Sequence, residues 1–512
     1  HIFADLGEVA GLQGFRRVHQ AVVHILLEGR IDLGPGNAIK LTRYSQVKRK
    51  KALDKNEKMC GKALKTRLIF RGGAQMKNTG GALKERLLSI IGAMGEHPER
   101  YAKNPGKDFT RRRSLTLPTL ISLILTMDEK SMWKGLLGYF QNGIGTPSAS
   151  AFVQQRKKLL PQAFEDLFHR FTDSLTAGKK FQGYRLLAVD GTSLKSMSYP
   201  EDSDAYRPGT QRQHGWNLYH LNALFDLENG IYTDVLVQKE HTKSEDAALC
   251  EMAERSAGSE PVILLADRGY EAYNNFAHLE QAGWKYLIRL KDRNRTYAYG
   301  VTLPDQPEFD LPVHITLGRL TRRQLEQRGI PTPEAYCRLP NNVPFDYLKP
   351  GNAGFYPFSA RIVRLRLKDG SMETFITNLN QTQFSLATLR RLYARRWGIE
   401  TSFRQLKYTV GMVHLHSKRP ELILQEIFSA FIIFNFTKAA AWEVDTAWGS
   451  SKYKRCVNFS DAVYLCCQTL RGWFLDMLPL LERKLLPCRP DRNFPRPIIA
   501  DNRISPMYVP SR

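Results

Sequence analysis

Two short apolar runs, each followed directly by an aspartate, restrict the fold of this chain more than any other feature. The runs are 186–189 (Leu-Leu-Ala-Val), before Asp190, and 262–266 (Val-Ile-Leu-Leu-Ala), before Asp267. Their length and apolar character predict buried strands. Because α/β folds place functional side chains where such strands end, we expect both carboxylates at one edge of a sheet. The alternative is that each aspartate only forms a turn or caps a helix.

The segments around these runs predict the rest of an α/β domain. Asn229-Gly230 separates β-type runs over 218–227 and 231–237, which is the pattern of a hairpin. We predict helices over 246–255 and 274–282 and a strand over 286–290, with a second hairpin at 361–377. This order of strands and helices predicts a mixed sheet.

A long helix predicted over 385–408 carries four side chains of complementary chemistry. At 100° per residue, Tyr393, Arg396, Glu400 and Lys407 fall within an arc of about 60°. Such a stripe suits a metal-binding carboxylate flanked by phosphate donors. The alternative is a solvated face with an ion pair between Arg396 and Glu400, which accounts for the charges but not for Tyr393.

The carboxylates suggest a cation at this site. Two ionised carboxylates that lie close together repel each other unless a cation offsets their charge. Mg²⁺ is the hard, oxygen-seeking ion that suits them. Two such ions, about 4 Å apart, activate a nucleophile and stabilise a leaving 3′-oxygen in phosphoryl transfer. The pattern therefore favours phosphoryl-transfer chemistry.

The charge of the chain indicates a polyanionic partner. Lys and Arg number 75 against 50 Asp and Glu, a formal net charge of +25, which argues against a small-molecule metabolic enzyme and for nucleic acid. Arg268, Arg289 and Lys291 follow the predicted strands and are either contacts to the DNA backbone or plain surface charge. The cations around Glu400 are Arg390, Arg391, Arg395, Arg396, Arg404 and Lys407.

Taken together, these motifs resemble the IS4 family of bacterial DDE transposases, to which the Tn5 transposase belongs. The resemblance rests on Tyr393-x2-Arg396-x3-Glu400-x6-Lys407, on Leu-Ala-Val-Asp190-Gly-Thr and on Leu-Ala-Asp267-Arg-Gly-Tyr, in the order Asp, Asp, Glu. It covers roughly residues 85–512.

The resemblance implies an RNase H-like fold in which Asp190, Asp267 and Glu400 bind two divalent ions, Mg²⁺ or Mn²⁺. Tyr393, Arg396 and Lys407 would contact phosphates at the cleaved transposon end. The implied function is cut-and-paste transposition, with terminal inverted repeats and target DNA as partners and a homodimer in the synaptic complex. Family members with a hairpin intermediate use an insertion-domain Trp, and 293–360 contains none.

The predicted organisation is an α/β chain with an RNase H-like mixed-sheet core, a β-rich insertion and helical terminal regions. Residues 1–75, with a net charge of +9, are interpreted as a non-native or disordered extension before Met76. The expected regions are a helical DNA-binding region at 76–180, the catalytic core at 181–292 and 361–445, the β-rich insertion at 293–360, and a C-terminal helical region with a basic tail at 446–512.

Location and alternative functions complete the sequence predictions. The apolar run 422–442 contains polar residues, so we predict a buried core helix and not a membrane span, and a cytoplasmic, nucleoid-associated protein. One alternative function is an RNase H-like nuclease that hydrolyses DNA without strand transfer. Another is a DNA-binding protein that has lost catalysis, although three intact carboxylates argue against a pure binder.

Overall fold

The computed structural model describes residues 80–487, except for 112, 128–130, 176–177, 211–213, 259, 292–296, 368–369, 445–452, 454 and 474–475. The predicted extension 1–75 and the end of the basic tail, 488–512, therefore lie outside the described residues. The described part begins with five helices: α1 (Gly80–Glu96), α2 (Leu117–Leu125), α3 (Met132–Tyr139), α4 (Ala149–Arg156) and α5 (Gln162–Ser174).

A run of strands and helices follows, as the sequence predicts. Its elements are β1 (Arg185–Ser196), β2 (Tyr206–Arg207), β3 (Trp216–Asp226), β4 (Ile231–Lys239), α6 (Glu245–Arg255), β5 (Val262–Ala266), α7 (Tyr273–Gln281) and β6 (Lys285–Arg289). The sheet order is β4-β3-β1-β5-β6, in which β3 is antiparallel to β1 and β4 while β5 and β6 run parallel to β1. This is the order of an RNase H-like core and confirms the predicted fold class.

The segment predicted as an insertion extends the same sheet. Its elements are β7 (Tyr297–Ala298), β8 (Val301–Thr302), β9 (Phe309–Gly318), α8 (Arg322–Gln327), β10 (Tyr336–Arg338), β11 (Phe355–Arg366) and β12 (Met372–Thr377). Strand β12 pairs with β6, and the sheet continues through β11, β9 and β10. Strand β11 crosses from the predicted insertion into the predicted core at 360/361, and pairs with β9 on one side and β12 on the other.

The remaining elements surround this sheet. They are α9 (Leu386–Tyr393), α10 (Trp397–Arg404), α11 (Pro420–Trp442), β13 (Arg455–Cys456), α12 (Phe459–Leu470), α13 (Leu478–Glu482) and β14 (Leu486–Pro487). Helix α11 is long and apolar enough to cross a membrane, but 83% of its most apolar window is buried inside the protein. It is therefore a core helix, as the sequence predicts.

The N-terminal helices share a core with α11 and are not a separate module. Helix α5 buries Phe164, Leu167, Phe168 and Phe171 on one face, and these belong to the same apolar cluster as most of α11. Arg156 of α4 is also buried, with 1% of its side chain exposed, and bonds to Glu426 of α11 at 2.8 Å. An arginine at this depth is tolerated because its Nε donates to Gln425 and its Nη2 to Glu426 and to the carbonyl of Leu422.

Candidate active site

Asp190 lies within strand β1, not at its end as the sequence predicted. The strand continues to Ser196 because its antiparallel pairing with β3 extends from Leu187 to Ser196. Its parallel pairing with β5 stops earlier, at Ala188 opposite Leu265. Asp190 therefore lies just beyond the parallel pairing, where one side of β1 is no longer covered by β5. Its Oδ1 accepts a hydrogen bond of 2.8 Å from the amide of Gly191.

Asp267 follows β5 directly, as predicted, and the sheet register brings it beside Asp190. Two residues beyond the paired Ala188 and Leu265, the continued register sets Asp190 opposite Asp267. Side chains alternate along strands, so Asp190 points to the same face as Leu186, on which Ile263 and Leu265 pack against α9. Asp267 also caps a turn of 3₁₀ helix over 268–270 through the amide of Gly269.

The helix predicted over 385–408 is interrupted in the structure. Between α9 and α10 the backbone bonds change to i→i−3 spacing, including Arg395 to Leu392 and Arg396 to Tyr393, which tightens the chain there. A π-helical turn over 405–409 then widens it again. The prediction of one continuous helix is therefore wrong, because a tight turn and a wide turn replace two parts of it.

Arg396 joins the third carboxylate to the first. Its Nη2 donates to Oε1 of Glu400 at 2.6 Å, and its Nη1 lies 4.0 Å from Oδ2 of Asp190. The Arg396 side chain is only 8% exposed, whereas that of Glu400 is 38% exposed. Glu400 is thus held at the edge of the site by a buried guanidinium that also faces Asp190.

The electrostatics of Asp190 reflect this crowding. Burial raises the pKa of the Asp190 carboxyl to about 6, and the negative charges of Asp267 and Glu400 act in the same direction. The Gly191 amide and the Arg396 charge oppose the rise only in part. The three carboxylates therefore interact, and an added cation would relieve their repulsion.

The other two residues of the signature occupy different depths. Tyr393 is buried, with its ring 4.5 Å from that of Phe375, and Arg396 lies over the tyrosine ring at 5.8 Å. Lys407, on the π turn, donates to Thr192 Oγ1 at 2.6 Å and to the carbonyl of Ser193 at 2.8 Å. Lys407 thus reaches the part of β1 that follows Asp190.

The three other predicted DNA contacts lie near the same edge. Arg268 is exposed on the turn after Asp267. Arg289 ends β6 and pairs with Glu373 of β12. Lys291 lines a cavity of about 1100 Å³ between the core and the inserted strands. Arg268 has the freest side chain of the three, since Arg289 already has a carboxylate partner.

One carboxylate beside these residues was not predicted from the sequence. Glu245, the first residue of α6, lies 2.9 Å through Oε1 from Nε2 of His220 on β3. A Cβ on Gly191 would lie 2.9 Å from that same oxygen, and a Cβ on Gly269 would lie 3.7 Å from Oε2. A glutamate after Ser244, the helix cap, suggests only a first-turn acid, so the sequence offered little signal.

The residues present suit a divalent metal in their chemistry. The donor set is carboxylate oxygen, which hard cations such as Mg²⁺ and Mn²⁺ prefer. In the part of the chain that the structure describes, no three acidic, His or Cys side chains are arranged to hold a metal ion as they stand. Arg396, bonded to Glu400 and facing Asp190, is the cation already beside these carboxylates.

Comparison with known proteins relates this geometry to a family. The family model of the transposase DDE domain matches residues 181–436, half of the chain. Over 369 residues the chain is 26% identical to the transposase InsG for insertion sequence element IS4 of Escherichia coli K12, covering 68% of this chain and 75% of that protein. A solved structure of the piggyBac transposase synaptic complex with hairpin DNA is similar over 80% of this chain and 84% of that chain, with 11% identity and a TM-score of 0.41.

Proposed function

The chain belongs to the transposases with a DDE domain, of the IS4 type, and we propose that Asp190, Asp267 and Glu400 are its three catalytic carboxylates. It is a DNA transposase, an enzyme that cleaves and transfers DNA strands. The observation that carries the assignment is the single guanidinium of Arg396, which is bonded to Glu400 and faces Asp190, while the sheet register sets Asp267 opposite Asp190.

Asp190, Asp267 and Glu400 would hold two divalent ions, Mg²⁺ or Mn²⁺. When bound, such ions supply activation of the attacking oxygen and charge stabilisation at the leaving 3′-oxygen. The 2.6 Å bond from Arg396 occupies Oε1 of Glu400, and a divalent ion would compete with the guanidinium for that oxygen. The raised pKa of Asp190 supports this role, because a cation would favour the ionised form that burial penalises.

The basic residues of the signature would hold the DNA phosphates. Arg396, once free of Glu400, presents a planar pair of donors suited to a phosphate. Lys407 supplies a point charge beside Thr192. The ring of Tyr393 holds the guanidinium of Arg396 in place, and its hydroxyl would donate to a phosphate. Arg268, Arg289 and Lys291 would contact the DNA backbone farther along the same edge.

The proposed reaction has two steps, hydrolysis at the transposon end and transfer of the freed end to the target. A water oxygen attacks phosphorus at the transposon end, the bond from phosphorus to the 3′-oxygen breaks, and the 3′-oxygen leaves as a hydroxyl. That hydroxyl then attacks a target phosphorus, a new ester forms and a target 3′-hydroxyl leaves. Neither step needs a nucleophilic side chain, so the protein contributes positioning and charge.

The partners we propose are the terminal inverted repeats and the target DNA, bound by a homodimer in the synaptic complex, with the cytoplasmic nucleoid as the place of action. The helices over 80–174 would belong to the DNA-binding region, where Lys103, Lys107, Arg111 and Arg113 are exposed. The test is whether Glu400→Gln still binds fragments of the DNA that flanks the reading frame while losing their cleavage. Retained cleavage by that variant would overturn the assignment.

A further inference from the structure

Glu245 faces the same sheet edge as the two catalytic aspartates. Its two oxygens lie against the backbone at Gly191 and Gly269, the glycines that follow Asp190 and Asp267. A Cβ at Gly191 would meet Oε1 of Glu245 at 2.9 Å and Nε2 of His220 at 2.5 Å. These glycines therefore leave the room that the glutamate occupies.

The position of Asp267 relates this glutamate to the site. The point where a Gly269 Cβ would stand lies 2.9 Å from Asp267 Oδ1 and 3.7 Å from Glu245 Oε2. Both carboxylates thus lie within 4 Å of that one point. The Glu245 side chain is 42% exposed, so it is open to solvent and to ions.

A second, independent observation points into this volume. The ring of Tyr270 is buried, with 1% of the residue exposed, and its hydroxyl has no hydrogen-bond partner among the described residues. The acidic groups that act on that phenol include Glu245, Asp190 and Asp267. A buried hydroxyl without a partner is costly, so it suits a site where an ion's water or a ligand completes the bonding.

His220 fixes the glutamate in place. Its side chain is 6% exposed, and Nε2 lies 2.9 Å from Glu245 while Nδ1 lies 3.5 Å from Ser193 Oγ. The backbone carbonyl of Ser193 also accepts a hydrogen bond from Lys407. The glutamate is therefore linked by side chains to the same stretch of β1 that the family signature reaches.

We propose that Glu245 is a fourth acidic residue of the metal centre and takes part in binding its divalent ions, with His220 as its positioning residue. This inference rests on the proposed function of Asp190, Asp267 and Glu400. It adds a residue from α6, an element that carries none of the three signature carboxylates.

Metal binding and metal-dependent nicking of supercoiled plasmid test the proposal together. We expect Glu245→Gln to raise the half-saturating Mg²⁺ concentration for nicking about tenfold, with Mn²⁺ restoring much of the rate. The matched control is Glu251→Gln on the same helix, whose side chain is 58% exposed and pairs only distantly with Arg255 at 3.9 Å. The control should have the Mg²⁺ dependence of the wild type.

A readout independent of activity is oxidative cutting of the protein by Fe²⁺ and peroxide, which marks the backbone beside bound metal. We expect cuts next to 190, 245 and 267 in the wild type, with the cut at 245 lost in Glu245→Gln. Wild-type cuts at 190 and 267 without one at 245, or an unchanged Mg²⁺ requirement in Glu245→Gln, would overturn the inference.

Two further variants separate the possible failures. If Glu245→Gln does not fold, Glu245→Asp keeps the charge on a shorter arm, and we expect an intermediate Mg²⁺ requirement; a wild-type requirement would count against the proposal. Asp190→Asn should abolish nicking and the cut at 190. If it does not, the proposed function fails, whereas an effect of Asp190→Asn without one of Glu245→Gln or Glu245→Asp rejects only the role of Glu245.

Discussion

Arg396 donates a 2.6 Å hydrogen bond to Glu400, the third carboxylate of the site. The same guanidinium lies 4.0 Å from Asp190 and is almost wholly buried. A fixed arginine thus partly neutralises the charge that bound divalent ions would neutralise. By our proposal, the arginine competes with these ions for the carboxylates and later binds phosphate.

This double role of Arg396 predicts separate effects of its removal on the Mg²⁺ requirement and on the maximal rate of nicking. Arg396→Ala should lower the Mg²⁺ concentration needed for half-maximal nicking, because the competing cation is gone. It should also reduce the maximal rate by about 10²-fold, since a preorganised charge donor is lost. The measurement is nicking rate against Mg²⁺ concentration, with Arg404→Ala, an exposed arginine of α10, as control. A raised Mg²⁺ requirement in Arg396→Ala would contradict the competition.

The pKa of Asp190 predicts how stability depends on pH. In the folded protein the pKa of Asp190 rises from 3.8 to about 6, so the fold favours the neutral carboxyl. That advantage is complete below about pH 4 and is lost as pH rises through 6. Asp190→Asn, which stays neutral, should match the wild type at pH 4 and exceed it at pH 8 by roughly 3 kcal/mol, at about 1.4 kcal/mol per unit of pKa.

Urea unfolding in the presence of a chelator measures this difference. Saturating Mg²⁺ should stabilise the wild type at pH 8 and leave Asp190→Asn nearly unchanged, because binding to the folded state alone adds stability. If Asp190→Asn were less stable than the wild type at pH 8 without metal, the ionised carboxylate would not be the destabilised form that its burial implies.

Lys407 links the π turn of the signature segment to strand β1. Its removal should therefore reduce both the stability of the protein and its activity. Lys407→Met loses the bonds to Thr192 and Ser193, which we expect to cost about 1–2 kcal/mol of unfolding free energy. Thr192→Val removes only one of those partners and should cost less. DNA-end binding measured at increasing salt should show a shallower salt dependence for Lys407→Met if the residue also holds a phosphate. An unchanged slope would limit Lys407 to its structural bonds.

The buried arginine of α4 makes a prediction about the N-terminal helices. Arg156 bonds Gln425, Glu426 and the carbonyl of Leu422, which ties α4 to α11. Arg156→Met removes the guanidinium partner of buried Glu426, which keeps its contacts with His416, and should cost about 3–5 kcal/mol. Adding Glu426→Gln should recover part of that loss. Thermal unfolding checks this, with the exposed Lys157→Met as control. Equal stabilities of Arg156→Met and Lys157→Met would contradict the assignment.

Much of the core and its carboxylates could be predicted from sequence because the signals are local. The run before Asp267 and the Asn229-Gly230 turn each specify one element through neighbouring residues. The depth of Asp190 within β1 could not be predicted, since it depends on pairing with β3, which comes later in the chain. The burial of Arg156 could not be predicted either, because its partners are more than 260 residues away.

Distance along the chain also explains why Glu245 was not predicted. Glu245 contacts His220 and lies against two glycines on other elements, and none of these three residues is within ten positions of it in the sequence. The break before α10 was also invisible to a periodicity argument, because the tight turn and the later π turn keep Arg396, Glu400 and Lys407 facing the site. Angular spacing grouped side chains that the structure also brings together, although it assumed one continuous helix.

The most direct test of the account is strand transfer with precut ends. Linear fragments that end in the DNA flanking the reading frame are mixed with a target plasmid, Mg²⁺ and the protein, and joined products are counted. The wild type should join the ends, while Asp190→Asn, Asp267→Asn and Glu400→Gln should bind them and join none. Joining by any of these three variants, or hydrolysis without joining by the wild type, would contradict a transposase centred on these carboxylates.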